Sequence, residues 1–124
     1  MAIIKANGKK LPVRARVDTG ADSFFVSREK AEKTGWSIEP TYNNLKFVIG
    51  DNSFLEPTGT IPFEWHFRQG ANMWYDTFFV MDNMPYDMIL GGKLLVERGI
   101  VKLSFLPTGL PRQNGMWLII NTTQ

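Results

Sequence analysis

Asp18-Thr19-Gly20 is where this chain of 124 residues could do acid–base chemistry. Val13, Ala15 and Val17 alternate with Arg14 and Arg16 and lead straight into an aspartate, a small hydroxyl residue and a glycine. That order puts a carboxylate on a tight turn at the end of a buried strand, where it can do acid–base chemistry. Hydrolysis of a peptide bond by aspartates takes two carboxylates that share one proton. The triplet occurs once, so a working pair would draw its second aspartate from another subunit. Other candidates offer less. His66, the single histidine, stands between Trp65 and Phe67 in a strand pattern and is expected at the surface. Without a second histidine nearby, a serine–histidine triad has little support. Asp82 and Asp87 flank the Pro85 turn and are expected to be solvated or capping, since a metal would need more convergent oxygens. Cysteine is missing, which excludes disulfides and thiolate metal sites. No metal and no cofactor is expected.

The elements that must hold Asp18 follow a period of two rather than 3.6. Residues 2–6, the Asn7-Gly8 dipeptide and residues 11–17 read as a β-hairpin. Residues 23–27 form a strand directly after the aspartate turn. Ser27 can cap a short helix over 28–34, with Glu29 and Lys33 four apart and Gly35 as its stop. A second hairpin runs from 45–49 through Gly50-Asp51-Asn52-Ser53 to 54–56. Its small, polar tip suits positive φ and mobility. A third joins 58–67 to 73–81. The short apolar strand Asp87-Met88-Ile89-Leu90 follows, then Gly91-Gly92 and a brief helix over 93–98 stopped by Gly99. Residues 100–105 and 117–121 are the last two strands.

Composition sets the outer bounds. The chain reads as one mostly β domain over residues 1–124, with 44% hydrophobic and 13% aromatic residues, well away from disorder. A formal charge of +2 with scattered basic residues argues against a nucleic-acid partner. No apolar run approaches the ~20 residues that span a bilayer. The first residues lack the apolar stretch of a signal peptide, so the expectation is a cytoplasmic chain or part of a larger polyprotein. Trp36, Trp65, Trp74 and Trp117 share no spacing that suggests a sugar platform and are expected in the core or an interface.

Alone, the triplet is a weak signal, expected by chance in roughly one protein of this length in twenty. Three blocks in order carry more. Asp18-Thr19-Gly20-Ala21-Asp22 follows an apolar strand; Ile49-Gly50-Asp51-Asn52-Ser53 tips a mid-chain hairpin; Met88-Ile89-Leu90-Gly91 precedes a short helix. In this the chain resembles the retropepsin-type aspartic proteases of retroviruses, retrotransposons and their cellular relatives. The resemblance implies a single acid-protease lobe, a small closed β-barrel with a flap hairpin and one or two short helices. It further implies a homodimeric endopeptidase acting on an extended peptide or protein substrate, with a water activated between two Asp18 carboxylates.

Residue roles follow from the same resemblance. Thr19 would hydrogen-bond across the interface, Gly20 would let backbone approach the substrate, and Ala21 and Asp22 would contact it. Gly91 would allow its strand to pack on the catalytic loop. Gly50, Asp51 and Asn52 would bind substrate from the flap, with Val48, Ile49, Phe54, Met88 and Ile89 as apolar pocket walls. Ile3-Ile4 and Trp117-Leu118-Ile119-Ile120 would build the dimer interface, an unpaired terminal strand being one that needs a partner. Two departures stand out. Gly92 and then Lys93 occupy the place where many viral members carry an Arg or Asn buttress, and the flap tip is not a multi-glycine run. These leave open a second reading, a retropepsin-fold module for dimerisation or peptide binding whose catalysis is weak or lost. A third is a small β-barrel bearing the triplet by accident.

Overall fold

A computed structural model describes residues 1–18, 20–41, 47–48, 54–67, 72–105 and 116–120, the backbone alone at 48, 54–55, 101–105 and 116–120. The chain is mostly β, with two short helices. In order the elements are β1 (Ala2–Ile4), β2 (Lys10–Pro12), β3 (Ala15–Asp18), β4 (Phe25–Ser27), α1 (Arg28–Lys33), β5 (Glu39–Pro40), β6 (Phe47–Val48) and β7 (Phe54–Leu55). There follow β8 (Gly59–His66), β9 (Trp74–Met81), β10 (Met88–Gly91), α2 (Gly92–Glu97), β11 (Val101–Phe105) and β12 (Met116–Ile120).

One sheet organises the molecule, in the order β2-β1-β8-β9-β4-β10-β3, with β5 attached to β8. It curls into a half-barrel. Among the described residues β2 and β3 end the sheet without pairing to each other, so the closed barrel expected from sequence is not seen there. Two pairs stand apart from it, β6 with β7 and β11 with β12.

The first hairpin is shorter than expected. Lys5 and Lys9 close it around Gly8 at φ 83, a left-handed conformation that costs glycine little. The chain then leaves the hairpin at Pro12 and crosses to the far end of the sheet as β3. Ser27 caps α1 as its side chain accepts the Lys30 N–H at 3.2 Å, and Gly35 ends the segment at φ 77.

Alternation along the strands builds the core. Ile61, Phe63 and Trp65 of β8 face Phe78 and Val80 of β9, with Phe24, Val26, Met88, Leu90 and Leu95 completing the cluster. Phe63 and Phe78 stack with ring centroids 4.3 Å apart, and Phe24 meets Trp65 edge-on at 5.8 Å. Each such aromatic contributes about 2 kcal/mol or more by leaving water. Ile3 belongs to this core. It is fully buried in a strand flanked on both sides by β2 and β8, so the expected role of Ile3-Ile4 as a dimer edge does not hold. The Trp117 strand pairs on one side with β11, from Val101 opposite Ile120 to Phe105 opposite Met116, and its other edge has no strand partner among the described residues. His66 also departs from expectation. It is 4% exposed, and neither ring nitrogen has a hydrogen-bond partner among the described residues.

A polar clamp ties α2 to the sheet. Asp76 accepts two hydrogen bonds from Arg98, at 2.7 and 2.5 Å, and one from the Trp65 indole at 2.8 Å. Arg98 lies over the rings of Phe24 and Trp74. Asp76's hydrogen bonds raise the Arg98 guanidinium above its ordinary range, against burial that lowers it. Because Asp76 is 10% and Arg98 27% exposed, removing the carboxylate strands a largely desolvated cation. Asp76→Ala is expected to cost about 3 kcal/mol in urea unfolding. Arg28 makes a more exposed set of contacts, to Asp82 and to the Thr58 hydroxyl, and these hold β8 and β9 to the start of α1. Exposed pairs of this kind contribute little.

Candidate functional site

Asp18 is the last residue of β3, and its position depends on an interleaved arrangement. β3 and β4 follow each other in the chain but are not neighbours in the sheet. β10 lies between them, parallel to β3 and antiparallel to β4. The loop from 18 to 25 must therefore step across the end of β10. Register puts Gly91 directly opposite Asp18 and Leu90 opposite Val17.

That crossing has room only for glycine. A Cβ at position 91 would lie 2.6 Å from the Ser23 carbonyl oxygen, 2.8 Å from the Ser23 nitrogen and 2.9 Å from the Ala21 carbonyl oxygen. All three are backbone atoms of the aspartate loop. The loop is pinned further where the Lys93 N–H donates to the Ala21 carbonyl at 3.3 Å. Lys93 thus supports the loop through its backbone; its side chain is exposed, and no ion pair with Asp22 is present among the described residues.

Within the loop, one Asp18 carboxylate oxygen accepts the Gly20 N–H at 3.0 Å, and the Ala21 N–H donates to the Asp18 carbonyl at 3.2 Å. The carboxylate is half-buried, oriented by backbone, and still accessible. Asp22 accepts from the Ser23 hydroxyl at 3.4 Å. Asp87, expected to be solvated or capping, does cap: it accepts the Arg14 N–H at 2.9 Å while its own carbonyl accepts from Ser27, binding β3 and β4 together.

Strand parity decides what shares a face with Asp18. Ala15, Val17, Met88 and Leu90 point to the core; Arg16, Asp18, Ile89, Phe25 and Phe79 occupy the opposite face. Of the two residues expected as β10 pocket walls, only Ile89 is on the Asp18 side. Met88 is fully buried in the core, since neighbours on a strand point oppositely. Phe47 of β6 packs on this same face, 5.0 Å from Phe25 and 4.9 Å from Phe79. Phe47 so anchors β6 over β4 and β9, on the sheet face that carries Asp18. Toward the other end, Arg16 donates to the Tyr86 hydroxyl at 2.5 Å and lies 5.2 Å from that ring's centroid.

Phe25, Phe79, Phe47, Arg16 and Tyr86 are the surroundings that the sequence did not single out. Phe24 and Phe25 are chemically alike, and only their parity after an irregular loop separates the core face from the Asp18 face. Among the expected site residues, Asp18, Gly20, Ala21, Asp22 and Gly91 come together. Thr19, Ile49, Gly50, Asp51 and Asn52 lie outside the described residues. For Val48 and Phe54 only the backbone is described, in the paired strands β6 and β7.

Among the described residues no cluster of three histidines or acids could hold a metal ion. No helix among them is long and apolar enough to cross a membrane. No protein-family model matches the chain, and comparison with curated proteins finds no match.

Proposed function

We propose that this chain is one protomer of a homodimeric aspartic endopeptidase of the retropepsin type, acting on extended peptides. The observation that carries the reading is the Gly91–Asp18 register, with a loop so tightly apposed to β10 that no Cβ fits between them. Such close packing fixes a half-buried carboxylate at the edge of an apolar face. On that face the half-buried Ile89 offers apolar surface to a side chain beside a scissile bond, while Phe25, 3% exposed, is already covered by Phe47 and Phe79.

In the dimer each chain contributes one Asp18, and the two carboxylates share a proton because like charges held close do not both ionise. The ionised member takes a proton from a water as that water attacks the scissile carbonyl carbon. The protonated member donates to the carbonyl oxygen, and the tetrahedral intermediate collapses as the leaving nitrogen is protonated. No covalent enzyme intermediate forms. Peptide cleavage that is present in the wild-type chain and lost in Asp18→Asn tests this; cleavage indifferent to Asp18 overturns it.

Gly20 separates a folding role from a substrate role. A Cβ there would come no nearer than 3.6 Å to the Asp18 carboxylate, an ordinary contact. Gly20→Ala is therefore expected to keep its melting temperature within about 2 °C. Peptide cleavage should nonetheless fall at least ~10-fold, because the added methyl occupies the space through which substrate backbone approaches.

A further inference from the structure

On the sheet face opposite the core, far from Asp18 in strand order, lies a pocket of about 330 Å³. It is lined by Ile4 of β1, Pro62 and Glu64 of β8, Tyr75 of β9, and Trp36 and Glu39 from the segment after α1. Of the three aromatic residues that line it, Phe63 is buried, and Trp36 and Tyr75 are open to water at 43% and 67% exposure. Trp36 is nevertheless fixed, its indole N–H donating to the Ile4 carbonyl at 2.8 Å. Glu64 stands directly across from Tyr75 in the β8–β9 register. Glu39 and Glu64 are both exposed, and neither carboxylate has an ion-pair or hydrogen-bond partner among the described residues.

We propose that this pocket binds an arginine side chain presented by a peptide segment of another protein. Two carboxylates without cations create a local negative charge in a chain whose net charge is +2. The aromatic rings supply faces on which a planar cation stacks, and Ile4 and Pro62 supply apolar surface for its alkyl stem. Arginine fits better than lysine because the guanidinium both stacks and forks to carboxylates, whereas an ammonium is a compact, strongly hydrated charge. A volume of this size, at the low end for ligand pockets, suits one side chain and not a whole folded surface. The same chemistry already operates inside the chain, where Arg98 lies over Phe24 and Trp74 while paired with Asp76.

Nothing in this proposal depends on catalysis. Its test titrates the intact protein with the blocked tripeptide acetyl-Gly-Arg-Gly-amide, following the Trp36 indole N–H by NMR. The citrulline and lysine versions of the peptide and the variants Glu64→Gln and Tyr75→Ala serve as comparisons. Saturable displacement of the Trp36 signal is expected, weakened at least ~5-fold by citrulline and by Glu64→Gln, with lysine weaker than arginine. Equal binding of arginine and citrulline peptides, or of arginine and lysine peptides, overturns it. So does binding untouched by both variants. A Trp36 signal that moves with protein concentration alone would assign the pocket to a second copy of the chain and overturn it as well.

Discussion

Asp18→Asn is expected to leave a folded dimer that no longer cleaves peptide, with the rate reduced on the order of 10³-fold or more. The asparagine oxygen is placed as the carboxylate oxygen was and can still accept the Gly20 N–H, so the turn that presents residue 18 persists. What disappears is the proton chemistry. An amide neither takes a proton from water nor lends one to a carbonyl oxygen at working pH. Thermal melting and sedimentation of the variant should match the wild type within about 1 kcal/mol, while peptide turnover collapses. Loss of the fold along with activity would make Asp18 a structural residue, and undiminished turnover would remove it from the chemistry.

Gly91→Ala should act the other way round, on folding first. The new methyl would sit under 3.0 Å from three backbone atoms at Ser23 and Ala21, and none of these can rotate aside as a side-chain tip could. Either the 18–25 loop lifts or β10 withdraws from β3 and β4. β10 carries Met88 and Leu90, both fully buried, so its withdrawal opens the core. A cost of about 3 kcal/mol is expected, at the upper end for overpacking. That is a large share of a domain's usual stability of about 5–15 kcal/mol. Denaturant unfolding measures it. A Gly91→Ala protein as stable as wild type would mean that the apposition of β10 and the aspartate loop is not the constraint it is argued to be.

Much of this architecture was legible in the residues. Period-two alternation, Asn7-Gly8, the Ser27 cap and the glycines at 35 and 99 each mark an element or its end, because local backbone chemistry dictates them. The juxtaposition of Asp18 and Gly91 was suggested by their motifs, although they are 73 positions apart in the chain. Three things were not legible. Sheet order is set by tertiary pairing, so nothing local revealed that β1 is flanked on both sides and its Ile3 buried. Parity across an irregular loop is lost, which hid Phe25 on the Asp18 face and Met88 in the core. The burial of His66 opposite Ala2 leaves no trace in a strand that otherwise alternates.

In the proposed enzyme two chains make one catalytic site. Mixing wild-type protein with Asp18→Asn protein at fixed total concentration, after subunit exchange, tests it most directly. If each site needs both aspartates, only wild-type pairs work and peptide turnover follows the square of the wild-type fraction, about a quarter of full activity in an equal mixture. Turnover that instead falls linearly, to about half in the equal mixture, would mean that each chain acts alone and would contradict the account.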